Sequence, residues 1–222
     1  MRNSHRRIDG TKRGMNTMNE VLKTILQRRS IRHFLPQVPE RDALDAILQA
    51  ACYAPSGSNH QSWRFTVLTH PEDLRALDAL IREVFCELVI APDDYPTKHT
   101  YQRRARENEA FSFTYHAPVL VIVSNERAYS NAMADSACAI QNMLLAAQSL
   151  GIGSCYINQL TWTTDEPRVR AQLDAYGIPQ SHIVCGAVAL GYPASGMNRP
   201  AAARKPGTVH FVSSGETATE QK

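Results

Sequence analysis

The stretch Asn131–Leu150 is apolar nearly all round and rich in alanine, and it restricts the possible folds more than any other part of the chain. A helix without a broad polar face is stable only when covered on most sides, and small side chains let a second helix approach closely. In a chain of 222 residues the natural place to cover it fully is an interface with another subunit. Two more runs, Pro118–Ser124 and Ser181–Leu190, are apolar without alternation. Runs of that kind read as strands buried on both faces.

Other periodicities supply the flanking elements. Val21, Leu22, Ile25 and Leu26 fall on one face of a short helix over Asn19–Arg28. Its end carries Arg28 and Arg29, where the helix dipole favours cations. Leu35–Pro39 is an extended, proline-bounded connection. Leu44, Ile47, Leu48 and Ala51 mark a second helix, started by Pro39 and stopped before Pro55. Trp63–Thr69 alternates and is β-branched, which predicts a strand. Pro71 opens a long helix to about Ile90, followed by a loop over 91–98. Residues 99–115 are polar with interspersed aromatics and read as a mobile helical segment. Gly151-Ile152-Gly153 ends the alanine-rich helix. Arg168–Tyr176 reads as a short helix and Thr208–Ser213 as an edge strand. Strands alternate irregularly with longer helices, so the fold class is α+β. The expected organisation is a basic, disordered tail over 1–18 with Met15 or Met18 as the true start, one domain over 19–213, and a polar tail over 214–222.

Charge and cysteine use exclude several functions. The net charge is +3, but residues 1–18 carry five Lys or Arg against Asp9, a tail charge of +4 that leaves the body at −1. A nearly neutral body gives no reason to expect nucleic acid. No apolar run is long enough to span a bilayer, and the tail lacks the apolar core of a secretory signal. Cys52, Cys86, Cys138, Cys155 and Cys185 are odd in number, lack CxxC spacing and sit in apolar segments. They read as buried free thiols in a reducing cytoplasm. The histidines lack HxH or HExxH spacing, which argues against a metal centre. There is no GxGxxG after a strand and no Walker A loop.

The residues with chemistry begin at Arg28. Arg28, Ser30 and Arg32 alternate, so an extended backbone after the helix projects all three to one side. Guanidinium groups donate to phosphate in a bidentate fork, and a hydroxyl adds a donor. The plainer alternative is that Arg28 and Arg29 cap the helix while Arg32 is solvated. Some twenty residues on, Ala54-Pro55-Ser56-Gly57-Ser58-Asn59-His60-Gln61-Ser62-Trp63 is a polar, small-residue loop between two apolar-patterned segments.

Taken in order, Arg28-Arg29-Ser30-Ile31-Arg32-His33-Phe34, the loop 54–63, Leu150-Gly151-Ile152-Gly153-Ser154 and Leu190-Gly191-Tyr192-Pro193 resemble the nitroreductase family of FMN oxidoreductases. The resemblance spans about residues 19–213. It implies a mixed sheet flanked by helices in an intertwined homodimer. It also implies FMN as cofactor, NAD(P)H as electron donor, and ping-pong hydride transfer through flavin N5 to a small electron-poor acceptor: a nitroaromatic, quinone or enone. On that resemblance Arg28, Arg29 and Ser30 belong to the phosphate motif, and Arg32 lies by the pyrimidine edge of the flavin. Pro55, Ser56, Gly57 and Asn59 reach the ring from the neighbouring subunit, and Asp135 lies near the ribityl chain or ring edge. Cys155, Tyr156, Ile157 and Asn158 line one side of the ring, with a backbone N–H of Asn158 or Gln159 facing N5. Arg204 closes over the phosphate. Residues 95–115 form the lid that selects the acceptor. The chain departs from the family pattern at Ser62, where proline is common, and in having only Arg204 and Lys205 in the C-terminal basic cluster. Competing readings are a reductive dehalogenase or flavin-destroying enzyme of the same fold, and a non-catalytic flavin-binding redox sensor.

Overall fold

The computed structural model describes residues 19–196 and 200–212. The expected tails, 1–18 and 214–222, lie outside the described residues. Four strands form one sheet: β1 (Arg64–Leu68), β2 (Val119–Glu126), β3 (Gly153–Ile157) and β4 (His182–Gly191), in the order β1-β2-β4-β3. All three strand pairings are antiparallel. An isolated parallel bridge, Ser30 to Ser154, adds a mixed element at the outer edge of β3.

The helices are α1 (Glu20–Gln27), α2 (Arg41–Cys52), α3 (Pro71–Glu87), α4 (Pro96–Glu107), α5 (Ala132–Ser149) and α6 (Pro167–Ala175). The central strand β2 shows why three layers form. Val119, Val121 and Val123 pack with Leu44 and Ile47 of α2 and Ile140 and Met143 of α5. Leu120 and Ile122 point the other way, towards Leu77, Ile81 and Phe85 of α3 and Leu173 of α6. Both faces of the strand are therefore dry, as its unbroken apolar run requires.

α5 departs from full burial. Ala139, Ile140, Met143 and Ala147 face the sheet, whereas Met133, Ala134, Ala137 and Cys138 are exposed in a single copy. On α1, Val21, Leu22, Ile25 and Leu26 are all exposed as well. Cys155 and Cys185 are the buried thiols; Cys86 is half-buried, and Cys52 and Cys138 are exposed. The apolar segments had suggested five buried thiols, but Cys138 lies on the outward face of α5 and Cys52 at the end of α2.

Two further expectations change. α4 begins at Pro96, inside the expected loop, because proline costs no hydrogen bond in a first helical turn. Beyond α4, residues 111–114 are not a free flap: Phe111, Ser112, Phe113 and Thr114 are all buried. Residues 208–212 form no strand and pair with no described residue, and Ser213 lies outside the described residues.

Candidate functional site

α5 leads directly to the site. Gly151 (φ 71°) takes the left-handed conformation after the helix. The Gly151 and Ile152 N–H groups donate back to Gln148 and Ala147 carbonyls at 3.3 and 2.9 Å. That closes a Schellman motif and turns the chain straight into β3. At the start of β3, Gly153 lets the segment after α1 lie close. A Cβ there would fall 2.9 Å from Ile31 Cγ2, and the Ile31 N–H donates to the Ser154 carbonyl at 2.9 Å.

With Ile31 buried against β3, its neighbours are held in an extended backbone. Ser30 and Arg32 lie beside the Cys155 thiol, and Arg28 adds its charge to the same spot. Burial pushes the Cys155 thiol up, against the pull of the two guanidiniums and the serine. The alternating Arg28, Ser30 and Arg32 thus converge. Arg29 takes the capping role: its Nη1 donates to the Leu26 and Arg28 carbonyls at 2.7 and 2.8 Å. Among the described residues, no carboxylate lies within ion-pair distance of Arg28 or Arg32.

The outer side of Arg32 meets a structure that the sequence did not reveal. Arg32 Nε donates to the Tyr115 hydroxyl at 3.3 Å, and its guanidinium carbon lies 5.6 Å from the ring centre. The Tyr115 and Tyr101 hydroxyls are 2.8 Å apart. Tyr115 and His116 both have left-handed backbones, φ 59° and 54°, a strained choice for such side chains. Asp78 of α3 holds that turn. Its carboxylate accepts from Ser112 Oγ (2.7 Å), Thr114 Oγ1 (3.0 Å) and the N–H groups of Phe113 and Thr114 (3.1 and 3.3 Å). Burial pushes the Asp78 carboxyl up against these donors, and burial with the Tyr115 hydrogen bond pushes the Tyr101 phenol up. A sequence signal existed: Asp78 lies within the buried stripe Leu74, Leu77, Ile81 and Val84, where a carboxylate must find donors.

The loop 55–61 is built separately. Ser58, Asn59 and Gln61 all have positive φ, at 50°, 57° and 50°. The Gln61 N–H donates to Ser56 Oγ (3.2 Å), and Gln61 Nε2 donates to Asn59 Oδ1 (2.8 Å). Asp135 Oδ2 accepts from the Gly57 N–H (3.1 Å) and the Tyr129 hydroxyl (2.8 Å). The buried Asp135 therefore acts as a clamp on this loop, and its carboxylate has found the donors that its place in an apolar helix demanded. A Cβ on Gly57 would stand 2.6 Å from both Asn131 Nδ2 and Tyr129 Oη. Ser62 Oγ donates to the buried Asn125 at 2.7 Å, which ties the loop to the end of β2. Pro55 is exposed at the start of the loop.

Of the β3 residues, Cys155 and Ile157 are buried, while the Tyr156 ring lies across Gly186 and is partly exposed. The Asn158 N–H is taken by Gln159 Oε1 at 3.1 Å. Arg204 is exposed and has no hydrogen bond or ion pair to another described residue.

One copy does not bring the two motifs together. The loop is anchored at Asn125, whereas Ser30 lies outside β3 opposite Ser154, level with Val119. Three strand spacings across and six residues along give roughly 14 Å by roughly 20 Å.

Residues 25–192 match the model of the Nitroreductase family, and the chain belongs to that family. A nitroreductase of Bacteroides fragilis, solved with bound FMN, is 44% identical with a TM-score of 0.79 and covers 88% of this chain and 100% of its own. The FMN reductase (NADPH) of Bacillus subtilis is 27% identical over 80% of this chain and 68% of its own length. The nitrobenzene nitroreductase of Ectopseudomonas oleovorans is 28% identical over 76% and 84%.

Proposed function

We propose that the chain is an FMN-dependent NAD(P)H oxidoreductase that works as a homodimer, with ping-pong hydride transfer to a nitroaromatic, quinone or enone. The observation that carries this reading is the convergence of Arg28, Ser30 and Arg32, with no carboxylate among the described residues to neutralise the guanidiniums. Two guanidiniums and a hydroxyl suit a phosphate monoester. The groove they occupy is kept narrow by Gly153, so FMN suits the residues present.

When bound, FMN supplies the hydride chemistry, accepting at N5 and passing on to the acceptor. The chain supplies placement and charge. Arg28 and Ser30 hold the phosphate, and Arg32 offers positive charge at the pyrimidine edge, where reduction places negative charge. Tyr156 and Asn158 line one side of the ring, with Ile157 buried in the core behind them. With the Asn158 N–H engaged by Gln159, the Gln159 N–H is the donor assigned to N5. Asp135 sets the loop Pro55–Asn59 from beneath.

Two features support a homodimer. The phosphate motif and the loop stand too far apart within one copy to share a site, and a two-fold axis would bring the loop of one copy to the motif of the other. The exposed apolar residues of α1 and α5 supply a surface that such a partner would cover. Arg204 and the 200–212 segment would then close over the phosphate from outside. No helix among the described residues is long and apolar enough to cross a membrane, and the free thiols suit a reducing cytoplasm.

Initial-rate kinetics test the reading. With FMN-loaded protein and a nitroaromatic or quinone, double-reciprocal plots at several donor concentrations should be parallel. Intersecting lines would contradict the ping-pong order, and donor consumption that does not respond to acceptor would leave only a flavin binder.

A further inference from the structure

Beyond Arg32 lies a cavity of about 390 Å³ walled by Tyr101, Phe111 and Tyr115 and edged by Arg104 and Glu107. Its volume is at the low end for small-molecule sites, which run from about 300 to 1,000 Å³, enough for a single-ring compound rather than a dinucleotide. The Arg104 guanidinium carbon lies 5.9 Å from the Tyr101 ring centre, and Arg32 lies over Tyr115 on the opposite wall. The two tyrosines are joined through their hydroxyls, so the two cations flank one aromatic surface.

Two other nearby arginines are committed elsewhere. Arg106, on the same helix as Arg104, donates twice to the Cys86 carbonyl, and Arg168 pairs with Glu87 and Glu166. Neither Arg32 nor Arg104 forms an ion pair with a described residue, and Glu107 forms none either. Two guanidiniums against one carboxylate give the rim a surplus of positive charge, with His33 and His116 close by.

We infer that this cavity receives an aromatic acceptor bearing an anionic group, with a carboxylate held between Arg104 and Arg32 and the ring against Tyr101 and Tyr115. The inference rests on the reading that Arg32 lies beside the flavin, since only then does a ring held here come within reach of the reacting face. Arg104 is the specificity-determining residue. It is exposed, so a long flexible side chain and solvent screening limit its effect. The aromatic walls and the second cation add to the selection.

The test compares 4-nitrobenzoate with nitrobenzene as acceptors for the FMN-loaded enzyme, in the wild type and in Arg104→Gln and Glu107→Gln. In a ping-pong cycle kcat/KM for the acceptor does not depend on the donor. Arg104→Gln should lower kcat/KM for 4-nitrobenzoate about two- to fivefold and leave nitrobenzene unchanged. Glu107→Gln should move the ratio the opposite way, and added salt should shrink the wild-type preference. A ratio left unmoved by both variants overturns the inference. A selective loss with NADPH over NADH, at an unchanged acceptor ratio, would assign the cations to the 2′-phosphate of the donor and overturn it too. If the wild type oxidises neither nucleotide with these compounds or with a quinone, the oxidoreductase reading itself falls.

Discussion

Replacing Asp135 with alanine leaves the Gly57 N–H without its acceptor, just before the left-handed residues Ser58 and Asn59. A half-buried amide without a partner costs about 1–3 kcal/mol, and Asp135 is itself buried in the first turn of α5, where its charge suits the helix dipole. The Tyr129 hydroxyl is near enough to the surface to find water, so it adds nothing to the sum. Asp135→Ala should therefore cost about 2 kcal/mol, or roughly 4–8 °C in Tm for a chain of this size. Asp135→Asn keeps one carbonyl oxygen for Gly57 and should lose about half as much. Urea unfolding monitored by circular dichroism gives the stability, and quenching of free FMN fluorescence gives the affinity. Both should fall together, because the loop that loses its clamp is the one assigned to the flavin. An Asp135→Ala protein with unchanged midpoint and unchanged FMN affinity would refute the clamp. Lost stability with intact affinity would refute the placement of the loop at the flavin.

Arg28→Ala removes a charge-assisted contact to phosphate and should weaken FMN binding about 10- to 100-fold; flavin that stays with the variant through gel filtration would sink that role. Gly57→Val places a side chain where Asn131 and Tyr129 already stand and should also empty the site. Mixing it with Arg28→Ala after reversible dissociation should restore partial activity, because one of the two sites in a mixed dimer draws on an intact copy at each position; no recovery despite exchanged subunits would count against a shared site. His182 is buried beside Ser124 Oγ, 3.2 Å from Nδ1, and burial, with Arg64 and Arg170, holds its folded pKa below the ordinary 6.5. The unfolded chain therefore binds the extra proton first, so stability is complete above pH 6.5 and declines as pH falls through the window below it. Urea midpoints for His182→Gln should decline less over that window than those of the wild type; equal slopes would contradict the assignment.

The legible parts of this fold were those in which one short-range rule decides the outcome. Val119–Val123 could only be a strand dry on both faces, and Leu44, Ile47 and Ala51 could only face inward from a helix. Arg28, Ser30 and Arg32 were legible because an extended backbone forces alternate residues to one side. Their meeting around Cys155 needed β3, a strand of five residues too short to announce itself after Gly153. What stayed hidden was long-range pairing between polar groups. Asp78 lies more than thirty residues from Ser112 and Thr114, and the hydroxyls that marked 99–115 as a mobile segment are the ones that bury it. Asp135 posed the right question in the sequence, a carboxylate in need of a donor, but its answer lay at Gly57. The exposed face of α5 was also foreshadowed, since a helix apolar nearly all round exceeds what one copy can cover.

The most direct test of the central claim is the absorption spectrum of FMN-loaded protein during anaerobic addition of NADPH or NADH, followed by a nitroaromatic. The flavin band should bleach with one equivalent of donor per bound FMN and return when the acceptor is added. A chain that takes up no FMN, or whose bound flavin stays oxidised with both nucleotides, would contradict the assignment of this site to NAD(P)H oxidation.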